Sequence, residues 1–138
     1  MKNVLVAVDG SEASLKAARL GAELAQGLGA QVTVLHVVTP IIIPADAPWA
    51  PLDALHAAEL SRGQSVVQEV QRALLPQQTR ELVKVGSPAE TIVEVAHGLP
   101  AELVVVGSTG KNAVKRLLLG SIADRVVHLS HVPVLVAR

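Results

Sequence analysis

The chain has 138 residues and sets 12 basic against 12 acidic side chains, so its formal net charge is zero, which argues against a general polyanion-binding surface though not against a local basic patch. Half of the residues are apolar but Trp49 is the one aromatic, so the core has to be built from Val, Leu, Ile and Ala. Cysteine is absent, which removes disulfide frameworks and thiolate metal centres and suits a reducing compartment.

Val4 to Val8 is a short valine-rich run, the mark of a buried strand. Asp9-Gly10-Ser11 breaks it. Ser11 is placed to cap a helix in which Ala17, Leu20, Gly21, Leu24 and Leu28 recur at helical spacing, and Gly29 suits its stop. Val32, Val34, Leu35 and Val37 form a second strand. In residues 39–51, Pro40, Pro44, Pro48 and Pro51 forbid regular structure, while Ile41-Ile42-Ile43 and Trp49 make the segment apolar for a loop. A long helix is expected from about Asp53 to Leu75, with Leu55, Val66, Val70 and Leu74 inward. Glu59, Arg62, Glu69 and Arg72 mark its wet face, and Pro76 ends it.

Leu82, Val83 and Val85 give a third strand. Ser87-Pro88-Ala89-Glu90 opens a helix with a cap, a proline at the first position and an acid at the third. Ile92, Val93 and Ala96 carry its apolar face, and Gly98-Leu99-Pro100 stops it. Leu103 to Val106 is the fourth strand. A last helix is expected from about Ser121 to Ser130, and Pro133 opens the fifth strand, Val134 to Ala137. The apolar start MKNVLVAVDG is interrupted by Asp9 and lacks a cleavage pattern, so it reads as strand and not as a signal peptide. No apolar stretch approaches the roughly 18 residues of a membrane span. The expectation is a soluble cytoplasmic protein of one domain, residues 1–138, with neither nucleic acid nor membrane as partner.

Valine-rich strands alternating with helices predict an α/β fold, a doubly wound parallel five-stranded sheet with helices on both faces. The order 3-2-1-4-5 is a common solution, and its reversal point lies between strands 1 and 4. Asp9 and Gly107 stand at the C-terminal ends of those two strands. Gly107 and Gly110 follow strand 4, and Gly120-Ser121 opens the last helix. Glycines there allow close backbone approach or positive φ, and a helix start supplies unpaired N–H groups and a positive dipole end. Together they make a pocket for phosphates.

Two familiar motifs are excluded. Val8-Asp9-Gly10-Ser11-Glu12 lacks G-x-G-x-x-G, and Gly110-Lys111-Asn112 has neither the glycine spacing nor the Ser/Thr of a P-loop. What remains is G-x2-G-x9-G-S at Gly107, Gly110, Gly120 and Ser121. This resembles the nucleotide-binding signature of the universal stress protein family. The resemblance extends to Val6-Ala7-Val8-Asp9-Gly10-Ser11, Leu35-His36-Val37, Val85-Gly86-Ser87-Pro88 and Pro133-Val134-Leu135-Val136.

The resemblance implies an ATP pocket, with Mg2+ accompanying the nucleotide. By position, Ala7, Val8 and Asp9 would border adenine and ribose, Val37 would contact adenine partly through its backbone, and Val106 would line the pocket. Gly107 and Gly110 would sit beside ribose and phosphates. Gly120, Ser121, Ile122 and Ala123 would hold phosphates with backbone N–H groups. Position 123 is commonly polar in nucleotide-binding members, and here it is alanine. The resemblance also implies a homodimer formed through the C-terminal strand.

Each residue has a plainer reading. Gly107 can be a tight turn, Ser121 and Asp124 fit an ordinary S-x-x-D capping signature, and Asp9 can cap helix 1. Lys111, Lys115 and Arg116 could neutralise phosphates or simply be solvated. Trp49 could stack on a base or cover an apolar contact. His128 and His131 suit a helix C-terminus better than a metal, and His36, His56 and His97 form no cluster. The leading expectation is a regulatory ATP-binding stress-response protein. A slow ATPase or phosphotransferase, for which no base or arginine finger is evident, and a nucleotide-free dimeric interaction module are the alternatives.

Overall fold

Alternation along each strand decides which face of the sheet its side chains serve. Val4, Val6 and Val8 point into one apolar layer and Leu5 into the other, and both layers are closed to water. A computed structural model describes residues 1–47, 49–74, 79–109 and 118–138. Its elements are β1 (Asn3–Ala7), α1 (Glu12–Leu28), β2 (Gln31–Val38), α2 (Leu52–Leu74), β3 (Thr79–Val85), α3 (Pro88–Gly98), β4 (Leu103–Gly107), α4 (Ser121–Leu129) and β5 (Val134–Ala137).

The strands form one parallel sheet in the order β3-β2-β1-β4-β5, as the alternation of strand and helix predicts. Helices α1 and α2 cover one face, where Ala17, Ala18, Ala25, Val67 and Val70 meet Val4, Val6 and Val34. Helices α3 and α4 cover the other, where Ile92, Ala96 and Val126 meet Leu5, Leu35 and Val104. Among the described residues no helix is long and apolar enough to cross a membrane.

Four local expectations need correction, the first being Leu28, which ends the apolar face expected for α1 but is exposed and outside the core. Strand β3 begins at Thr79, well before the apolar run at Leu82. Thr79, Arg80 and Glu81 pair with Val32, Thr33 and Val34 of β2. This is a sheet edge, where the backbone ladder continues while polar side chains face water. Leu55 of α2 is exposed and lies outside the core. At 23 residues α2 spans about 34 Å, longer than the roughly 26 Å of β2, so its first turns overhang the strand ends. Ser87 is the N-cap of α3 with Pro88 next, but its hydroxyl makes no bond to the helix backbone. It donates to the Glu90 carboxylate instead, at 2.8 Å.

Ser11 caps α1 as its position predicts, accepting from the Ser14 N–H at 3.2 Å. Gly29 ends that helix in the left-handed region at φ 64°. The expected end of α2 at Leu75 and Pro76 lies outside the described residues.

Candidate functional site

At the C-terminal end of the sheet, where the strand order reverses between β1 and β4, the layers part into a cavity of about 710 Å³. Its floor is made by the strand ends: Ala7, Val8 and Asp9 after β1, Val37 on β2, and Val106 and Gly107 on β4. Its far wall is the start of α4, with Gly120, Ser121, Ile122 and Ala123. The structure thus brings together Ala7, Val8, Asp9, Val37, Val106, Gly107, Gly120, Ser121, Ile122 and Ala123, whereas Trp49 is 78% exposed and does not line the cavity. Gly110, Lys111, Lys115 and Arg116 lie outside the described residues.

The glycines act differently from one another. Gly107 is not in the left-handed region; the positive-φ glycines among the described residues are Gly10 and Gly29. A Cβ on Gly107 would instead lie 2.8 Å from the Ala13 carbonyl carbon and 2.9 Å from the Ser14 nitrogen. The glycine lets the backbone of α1 seat against the end of β4 and so sets the inner wall of the cavity. Gly120 is the N-cap of α4, with φ −61° and ψ 152°. Its own N–H donates to the Ser108 carbonyl at 2.6 Å, which ties the start of α4 to the end of β4. Of the four amides expected to face an anion, that of Gly120 is therefore engaged within the protein.

The next three are open. Ser121 is the first residue inside the helix and does not serve as its cap, so the S-x-x-D reading of Ser121 and Asp124 does not describe this helix start. Among the described residues no acceptor faces the N–H groups of Ser121, Ile122 and Ala123. Such groups, with the positive end of a nine-residue helix behind them, attract an anion. Ala123 is buried in the apolar layer, so it offers its amide alone.

Asp9 shapes the opposite side. Its carboxylate accepts from the Ser11 N–H at 2.8 Å, and its backbone N–H donates to the Ser14 hydroxyl at 3.3 Å. The cap of α1 is Ser11, and Asp9 supports the turn before it. His36 donates from Nδ1–H to the Val8 carbonyl at 2.8 Å, which fixes that tautomer and leaves Nε2 as the acceptor of the neutral ring.

Several lining residues were not singled out from the sequence. His36 sits next to Val37 at the end of β2. Glu59 and Arg62 reach the cavity from the overhanging turns of α2 and pair with each other at 3.0 Å. Pro88 and Ile92 close it from α3. The excess length of α2 over the strand beneath it was the available signal.

Beside α4, Glu90 is held by the Ser87 hydroxyl and by the Arg125 guanidinium. These bonds, Ser87 first and Arg125 second, keep its carboxyl below the usual carboxylate range. A carboxyl lowered by folding stabilises above its unfolded pKa, and that contribution is lost as pH falls through the folded value. The Glu90→Gln variant is accordingly expected to lose less stability than the wild type between about pH 5 and pH 3, a difference that urea unfolding across that range would measure. At the other end of α4, His128 Nδ1–H donates to the Asp124 carbonyl at 2.8 Å, a local contact near the helix end. Among the described residues no group of three or more His, Cys, Asp or Glu could hold a metal.

Sheet order, crevice and open helix start define the class: a doubly wound α/β protein with a ligand-sized cavity at its switch point. The chain matches the model of the universal stress protein family over residues 1–138 and belongs to that family. A universal stress protein of Methanocaldococcus jannaschii is 35% identical over 143 residues, covering 99% of this chain and 82% of the relative. The solved structure of the universal stress protein UspA from Lactobacillus plantarum superposes with a TM-score of 0.87 at 29% identity, covering 99% of this chain and 97% of that one. A universal stress protein crystallised in complex with cAMP matches with a TM-score of 0.75 at 27% identity, again over 99% and 97%.

Proposed function

We propose that this protein binds ATP, with Mg2+, as a regulatory member of its family, and that nucleotide occupancy is the signal its protein partners read. The observation that carries this is the set of N–H groups at Ser121, Ile122 and Ala123 that have no partner among the described residues, on residues that line a cavity of about 710 Å³. The volume lies within the range of small-molecule sites. A relative of the same fold is a complex with an adenine nucleotide, cAMP. In this reading Ala7, Val8, Asp9, Val37 and Val106 surround adenine and ribose. Gly107, with Gly110, flanks the ribose and phosphates, and the α4 amides grip the phosphates. The whole of residues 1–138 acts as one nucleotide-binding unit.

Three charge-assisted hydrogen bonds at roughly 1.5–3 kcal/mol each, with burial of the base, must offset an association cost of roughly 4–15 kcal/mol. A dissociation constant near micromolar, about −8 kcal/mol, is the expectation. Calorimetric titration with ATP and magnesium is the test. Absence of saturable heat up to millimolar ATP rejects the proposal.

The unit is further proposed to form a homodimer through β5. The carbonyls of Pro133 and Ala137 accept from Val104 and Ser108 of β4, at 2.9 and 2.7 Å. Alternation then turns the backbone groups of Val134 and Val136 to the free edge. Val136→Pro removes an outward N–H without touching the ladder to β4, and proline is tolerated on such an edge. Sedimentation is expected to show two chains for the wild type and one for this variant. A monomeric wild type at high micromolar concentration contradicts the proposal.

A further inference from the structure

Glu59 and Arg62 line the cavity from α2, the helix on the other face of the sheet from α4. Gly63 seats α2 on the end of β2. A Cβ added there would lie 2.8 Å from His36 Cδ2 and 3.2 Å from Val38 Cγ2, so the helix rests on the two neighbours of Val37. Glu59 lies one turn earlier, about 6 Å along the axis, where β2 has ended. It is in line with the buried stripe of Gly63, Val67, Val70 and Leu74, and from Asp53 to Arg62 it is the one residue that is not exposed. A carboxylate thus stands at a packing position of α2 that meets the cavity instead of a strand. Its Oε2 accepts from Arg62 at 3.0 Å, and its Oε1 has no partner among the described residues. An exposed pair at this spacing adds little stability, and a half-buried carboxylate is costly unless it finds donors.

We propose, on the nucleotide reading above, that Glu59 reads the base: its free oxygen accepts from the exocyclic amine of an aminopurine, and Arg62 is the positioning residue that holds the carboxylate at the wall. In that reading the phosphates lie at the start of α4 and the base lies against Val37. The start of α4 is tied to the end of β4, and β4 is separated from β2 by β1 alone, about 10 Å from axis to axis. A nucleotide gripped at α4 therefore crosses the sheet end and brings its base to the α2 wall. There the amine is a donor and the carboxylate a charged acceptor, a strong pairing. A purine without the amine leaves Glu59 unpaired, which costs affinity without any clash.

The test is calorimetric titration of ATP and of purine riboside triphosphate, which lacks only the amine, into the wild type, Glu59→Ala, Glu59→Gln and Arg62→Gln. The wild type is expected to prefer ATP about tenfold, the size of one charge-assisted hydrogen bond. Glu59→Ala brings that ratio to about one by weakening ATP and sparing the analogue. Glu59→Gln keeps an acceptor oxygen and restores part of the preference. Arg62→Gln lowers the ratio to about threefold, because the carboxylate is present but no longer held. If the wild type binds both ligands alike, or if Glu59→Ala weakens both by the same factor, Glu59 does not read the amine; the inference falls and the nucleotide reading stands. An Arg62→Gln protein that loses both ligands equally overturns the positioning role and marks a phosphate contact instead. A wild type that binds neither triphosphate removes the nucleotide reading itself, and the inference with it.

Discussion

Gly107→Ala is expected to cost about 3 kcal/mol of folding stability, toward the upper end for overpacking a filled site, and to lower Tm by about 10 °C. The added Cβ would lie 2.8 Å from the Ala13 carbonyl carbon, 2.9 Å from its oxygen and 2.9 Å from the Ser14 nitrogen. All three are backbone atoms in the first turn of α1. A side chain could rotate away at small cost, but this turn is fixed by the Ser11 cap and by the Ser14 hydroxyl, which donates to the Ser11 carbonyl at 2.9 Å. Relief requires α1 to lift from β4, which breaks the contact of Ala17 and Ala18 with the sheet. The control is Gly27→Ala in the same helix. A Cβ there meets nothing within 4 Å, so the change is expected to leave stability unaltered or raise it, by up to about 1 kcal/mol. Thermal or urea unfolding of the two variants should give opposite signs. A Gly107→Ala protein as stable as the wild type would show that α1 does not seat against the end of β4.

The fold was legible because few competing patterns exist. Valine runs at residues 4–8, 32–37 and 103–106 are too short for helices and too apolar for exposed strands, so a parallel sheet covered on both faces is the remaining packing solution. The strand order followed from a preference among doubly wound sheets, and it placed Asp9, just past β1, beside Gly107 at the end of the adjacent β4. The polar start of β3 was hidden because an edge strand satisfies the ladder on one side and water on the other. Thr79, Arg80 and Glu81 therefore carry no apolar signal.

The candidate site was legible in its strand ends and its glycines but not in its walls. Gly107 and Gly120 stand out at their spacing, yet the reason for each is invisible in one dimension. One answers to the backbone of α1, ninety-four residues earlier in the case of Ala13, and the other donates its N–H to Ser108. Glu59 and Arg62 read as an ordinary wet face because helical periodicity separates buried from exposed positions and says nothing of what lies beyond the exposed side. Only the overhang of α2 past β2 turns that face toward a cavity. Likewise Glu90 satisfied a local capping pattern, while its bond to Arg125, thirty-five residues away, depends on α3 and α4 starting side by side.

Ser121→Pro should reduce ATP affinity by about tenfold to a hundredfold with the helix intact, corresponding to one charge-assisted hydrogen bond of roughly 1.5–3 kcal/mol. Proline at the first position of a helix loses an N–H that has no partner within the helix, and its fixed φ suits that position. The residue before it must be extended, and Gly120 already is, at φ −61° and ψ 152°. Ser121 is exposed at the cavity wall, a position that leaves room for the ring. The substitution therefore deletes a single amide donor while α4 and its packing through Val126 persist. Ser121→Ala separates the hydroxyl from the amide: it keeps the N–H and is expected to bind ATP within about threefold of the wild type. Adenosine, which lacks phosphates, should bind all three proteins alike. Circular dichroism and unfolding confirm an unchanged helix before the calorimetric comparison is made. If Ser121→Pro binds ATP as tightly as the wild type, the first amide of α4 does not grip the phosphates. If Ser121→Ala loses as much affinity as Ser121→Pro, the hydroxyl and not the backbone is the phosphate ligand.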